Sequence, residues 1–149
     1  MEHEERNAWA AIIAGLITFI YFGSTIWTAT ASGGYGGADG LSLWAWDVIW
    51  LIGGGIVVTI VVMIAFQILY AIVTNTPKPS FLTDERDVKI SGRGTQITLA
   101  VCSGGFILAV IVLAMGWSAV AGLNCVLVGM AMGAFASDFY RIAVYRLGL

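Results

Sequence analysis

Four long apolar stretches, separated by short polar breaks, decide what this chain can become. They cover about residues 8–31, 43–74, 96–117 and 119–139. The first carries no charged side chain and the second carries one, Asp47. At a rise of about 1.5 Å per residue, each is long enough as a helix to cross a hydrocarbon core about 30 Å thick. Only 11% of the 149 residues are charged, 59% are hydrophobic, and the mean hydropathy is +0.90. Sixteen charged side chains are too few to cover a soluble surface of this size. In lipid every backbone polar group must be satisfied within the chain, which makes the blocks helices. The expected fold is all-α, a single four-transmembrane-helix bundle over residues 1–149. Spans three and four, joined at Ser118, are expected as a tight antiparallel hairpin.

The breaks between spans carry the remaining information. Residues 1–7 hold Glu2, Glu4, Glu5, Arg6 and the one histidine, His3, and read as a solvated tail. Ala29-Thr30-Ala31 resembles a signal-peptidase site, but an acidic leader and an overlong apolar run argue that the first helix stays. Residues 32–42 contain five glycines around Tyr35 and Asp39, a flexible connection with neither P-loop nor GxGxxG spacing. In the second span, Trp44, Trp46 and Trp50 crowd one end and Tyr70 lies near the other, as in aromatic belts. Its length implies either a tilt or a bend at Gly53-Gly54-Gly55. Pro77 and Pro79 then end that helix. The connector at 77–95 holds most of the charge between the termini.

Charge also sets an expected orientation. Four spans place the N-terminus, the connector and the C-terminus on one side. That side collects all seven basic residues: Arg6, Lys78, Arg86, Lys89, Arg93, Arg141 and Arg146. The glycine loop and the second turn have none, so both termini are expected to be cytoplasmic.

In the fourth span, Ala121, Cys125, Gly129, Gly133 and Ser137 recur every four residues. Such a stripe lets helix backbones approach closely, either inside the chain, against the first or third helix, or in a homodimer. Asp138 and Arg141 share a face at the membrane boundary, as an anchoring ion pair or as partners of the connector. Asp47 reads as an interfacial aspartate on the opposite side. Cys102 and Cys125 lie on the order of 10 Å apart in depth and read as packing residues, not a disulfide. Gln67, Thr59, Ser103 and Asn124 are polar groups inside the spans that can bond between helices or to backbone carbonyls. A haem held by two histidines is excluded, because no span contains a histidine. Nothing in the spacing assembles a catalytic, metal or cofactor site, and no basic run outside the connector suggests nucleic acid.

In the connector, Thr83 is an expected N-cap, with Asp84 and Glu85 in the first turn, where a helix dipole favours negative charge. Asp84, Glu85, Arg86 and Asp87, followed by Ile90 and by Arg93 just before the third span, resemble a family of small uncharacterised prokaryotic membrane proteins. Its hallmark is a cytoplasmic Asp-Glu-Arg motif leading into a transmembrane helix. The ending Tyr145-Arg146-Leu147-Gly148 is similar to the finish common there. The glycine loop and the tryptophan triplet lie outside that pattern. The resemblance implies a four-helix protein of the prokaryotic inner membrane without an established activity. The expected role is non-enzymatic: structural, sensory or regulatory, acting through residues 77–95, in contact with membrane lipid and with a protein partner or a second copy. The alternative is a transporter or channel subunit whose pathway forms by oligomerisation along the 121–137 stripe.

Overall fold

In the computed structural model, residues 3–74 and 85–147 are described. Thr83, Asp84, Lys78 and the two prolines lie outside them. The described chain is helical: α1 (His3–Thr18), a π-helical turn (Phe19–Gly23), α2 (Ser24–Ala31), α3 (Gly40–Thr74), α4 (Glu85–Ala114) and α5 (Ala119–Leu147). With α1 and α2 continuous through the π turn, four helices are long and apolar enough to cross a membrane.

The first helix starts earlier than composition suggests. Residues 3–7 are helical, and Glu5 and Arg6, 8% and 4% exposed, are buried and not solvated. Both charges sit against other helices, where a tail would have left them in water. The π turn was not legible either. The Ser24 N–H bonds to the Phe19 carbonyl five residues back. Within the turn, Phe22 lies where a Cβ on Gly54 would overlap its ring. A Cβ on Gly55 would lie 3.1 Å from Thr18. Gly54 and Gly55 therefore seat α1 and its π turn, while a Cβ on Gly53 would meet nothing within 4 Å; the triplet is a seat on two of its three positions. It does not break α3, which is helical throughout. At about 1.5 Å per residue α3 is about 52 Å long, more than a core of about 30 Å takes upright.

The two turns distant from the connector are built alike. Gly33 (φ 75°) follows α2, and Gly116 (φ 81°) follows α4. Beyond the first, Gly34 N–H reaches the Ala29 carbonyl at 2.8 Å and Gly33 N–H reaches Thr30 at 3.2 Å. Beyond the second, Trp117 N–H reaches Val112 at 3.2 Å and Gly116 N–H reaches Leu113 at 3.0 Å. Both are Schellman endings, which satisfy the last carbonyls through a left-handed residue that glycine adopts at least cost. Ser118 then caps α5, its Oγ accepting the Ala121 N–H at 3.2 Å.

The helices pack in the order α3, α1, α5, α4. Phe135 of α5 lies on Gly15 of α1, where a Cβ would be 2.9 Å from the ring. Ala8, Ile12 and Ile142 close one end of that central seam. Along α4 and α5, Gly94 meets Ser137, Thr98 meets Gly133, Gly105 meets Gly129, and Leu113 meets Gly122. This register is antiparallel. From Cys125 to Ser137 the stripe thus faces α4 inside the chain. Thr98 Oγ1 donates to the Gly133 carbonyl at 3.2 Å, and Cys102 Sγ lies 3.9 Å from the Gly129 carbonyl. Both cysteines are free.

Candidate functional site at the connector end

The start of α1, the start of α4 and the last turns of α5 converge. Tyr145 donates its hydroxyl to Asp87 Oδ1 at 2.6 Å. Arg141 Nη2 donates to Ser91 Oγ at 3.4 Å, and its side chain borders Gly94, where a Cβ would lie 3.1 Å from Nε. Arg146 turns the other way, to Glu5 Oε1 at 3.1 Å, with its guanidinium 5.6 Å from the Trp9 ring. Arg6 lies over Tyr70 of α3 at 4.3 Å, within reach of a cation–π attraction. Gln67 Nε2 donates to Asn7 Oδ1 at 3.3 Å.

The acidic-basic motif is therefore divided by helix geometry. Asp87 and Ile90 point inward, whereas Glu85, Arg86 and Arg93 are exposed. Arg141 reaches the connector through a serine, and Arg146 reaches the N-terminal helix. Asp138 is half-buried beside them. Sequence reasoning does not single out Ser91, and it reads Glu5 and Arg6 as tail, Tyr70 as belt and Tyr145 as part of the ending, without these partners. A signal did exist for two of them. The four-residue stripe through Gly133 and Ser137 continues to Arg141 and Tyr145, and Asp87 and Ser91 stand one turn apart on α4.

A second polar cluster ties the opposite end. Trp44 Nε1 donates to Asn124 Oδ1 at 2.8 Å, and Asn124 Nδ2 donates to Thr30 Oγ1 at 3.1 Å. These bonds connect α3, α5 and α2. Trp44 is 9% exposed, while Trp46 and Trp50 are 60% and 68% exposed, so the tryptophan triplet divides between packing and belt positions. Tyr35 donates to Asp47 Oδ2 at 2.6 Å. Burial first, then the bond to Asp47 and its charge, push the Tyr35 phenol from 10.0 up to about 12.

That shift gives a titration. A raised phenol means the Tyr35–Asp47 contact is intact below pH 10.0 and is lost as the pH rises through about 12. Ultraviolet tyrosinate absorbance, taken as the difference from Tyr35→Phe, should give a midpoint near 12. In Asp47→Asn the midpoint should fall toward 10.0, retaining the part due to burial. An unchanged midpoint would remove Asp47 from the account.

Among the described residues, no three His, Cys, Asp or Glu side chains gather as a metal set. The polar groups form ties between helices at both ends of a helical molecule with four membrane-length helices. Searches against protein-family models, curated proteins and solved structures return no match.

Proposed function

We propose that the chain is a non-enzymatic prokaryotic inner-membrane protein with both termini cytoplasmic. In this reading α4 and α5 form the tight hairpin, and residues 77–95 are the working surface of a structural, sensory or regulatory component. The resemblance of residues 84–93 to small prokaryotic membrane proteins remains part of this reading. One observation carries it: three helix ends converge around Asp87, Tyr145, Glu5 and Arg146. The six described basic residues all lie on these same helix-end segments. An excess of Lys and Arg on one side marks the cytoplasm. Bonds through Asp87 and Ser91 tie the start of α4 to α5, and Glu85 and Arg86 face outward.

A reading as a transporter assembled along the 121–137 stripe draws no support from Gly129, Gly133 or Ser137, which face α4. The topology is tested by a fluorescent protein fused after Leu149 and alkaline phosphatase placed in the glycine loop. Both should be active in a bacterial host; an inactive phosphatase with a dark fusion would invert the orientation. A photo-crosslinking residue at position 85 in native membranes should give one discrete protein adduct. Its absence at every growth phase would overturn the regulatory reading.

A further inference from the structure

The outward face of α4 is a surface apart from these ties. Arg86, Lys89 and Arg93 are spaced by three and four residues and share about 60° of the helix circumference. All three are exposed, and among the described residues no hydrogen bond or ion pair engages them. The other described cations are engaged inside the molecule: Arg6 on Tyr70, Arg141 on Ser91 and Arg146 on Glu5.

Depth gives these three exposed cations a meaning. No charged residue follows Arg93 in α4, so Arg93 marks the boundary of the apolar run. Lys89 and Arg86 lie about 6 and 10 Å farther along the axis. The headgroup layer on one side of a bilayer is about 5–8 Å thick. Long basic side chains reach such a layer from either boundary while their stems stay apolar. On the same strip, just inside the boundary, Gln96, Ala100 and Gly104 are exposed. A Cβ on Gly104 would meet nothing within 4 Å, so this shallow lane faces away from the protein. Glu85 stands one turn before Lys89 and offsets one of the three charges; Asp87 points inward to Tyr145.

We propose that this face of α4 binds an anionic phospholipid. The phosphate is held by Arg86, Lys89 and Arg93, and an acyl chain lies along Gln96, Ala100 and Gly104. Guanidinium groups meet phosphate oxygens through paired, charge-assisted bonds, and the small residues let a chain lie close to the backbone. The site needs only that α4 crosses the membrane, whichever side it starts on. It is independent of the regulatory reading.

Native mass spectrometry of the full-length protein, in micelles carrying equal phosphatidylglycerol and phosphatidylcholine, tests it. Phosphatidylglycerol should be retained in preference. Each of R86Q, K89Q and R93Q should weaken that preference about fivefold, as a single basic residue near an anionic surface does. Gly104→Leu should reduce retention with every charge in place. Equal retention of the two lipids, or an undiminished preference in the triple glutamine variant with native helicity, would overturn the proposal. Displacement of the lipid by inorganic phosphate at matched ionic strength would assign the cations to a free anion and overturn it too. So would a dimer that the glutamine variants dissociate with no lipid preference at all.

Discussion

Gly129→Ile should destabilise the α4–α5 seam by about 3 kcal/mol or more. A Cβ on Gly129 lies 2.8 Å from the Gly105 Cα, and one on Gly105 lies 2.7 Å from the Gly129 Cα. Both neighbours are backbone, so no rotamer change relieves the clash. The helices must separate, and the bonds from Thr98 to Gly133 and from Cys102 to Gly129 weaken with them. Overpacking a close-packed seam costs about 1–3 kcal/mol, and this contact belongs at or above the upper end. In lipid the loss is not repaid, because helix association there rests on such packing and not on a hydrophobic drive. The control is one position away from the seam. Gly104 faces outward with nothing within 4 Å of a Cβ, so Gly104→Ile should leave unfolding almost unchanged. Reversible unfolding in mixed micelles, followed by helicity, measures both. Equal losses at Gly104 and Gly129 would refute the seam.

The contrast between Gly104 and Gly129 also marks how far sequence reasoning reached. Long apolar blocks are unmistakable, because a bilayer-crossing helix needs length and absence of charge, and both are read directly. The stripe in α5 was legible for the same reason: small residues at a four-residue period mark a close approach. Its partner was left open between α1, α4 and a second copy. A helix face can be read from spacing, but the neighbour that fills it is set by the whole packing arrangement. Glu5 and Arg6 show the opposite failure. Polar residues at a chain end ordinarily stay solvated, and only the arrival of Arg146 and Tyr70 from distant positions makes burial favourable. The π turn had no sequence signal; within it, Phe22 fills the space above Gly54, a contact between residues far apart in the chain.

At the glycine-loop end, Trp44→Ala should be the most damaging of the tryptophan substitutions. Trp44 packs with Ile26 and Val120, whereas Trp46 and Trp50 face outward. Truncating a buried tryptophan costs about 3–5 kcal/mol through lost contacts and the cavity left behind. The indole N–H to Asn124 is the smaller part, because hydrogen bonds between membrane helices average about 0.6 kcal/mol and reach about 1.7. Two further variants separate these terms. Trp44→Phe keeps most of the ring but loses the N–H, so its cost should stay below about 2 kcal/mol. Asn124→Leu breaks the bonds to both Trp44 and Thr30 and should cost a similar amount. A double-mutant cycle between Trp44→Phe and Asn124→Leu should return a coupling near the single-bond value, since each removes the same contact. Trp46→Ala should leave the unfolding midpoint nearly unmoved. If Trp44→Phe proves as costly as Trp44→Ala, the hydrogen bond outweighs packing and the order argued for this end is reversed. If Trp46→Ala matches Trp44→Ala, the buried position of Trp44 has no special weight, and the link from α2 through α5 to α3 loses its anchor.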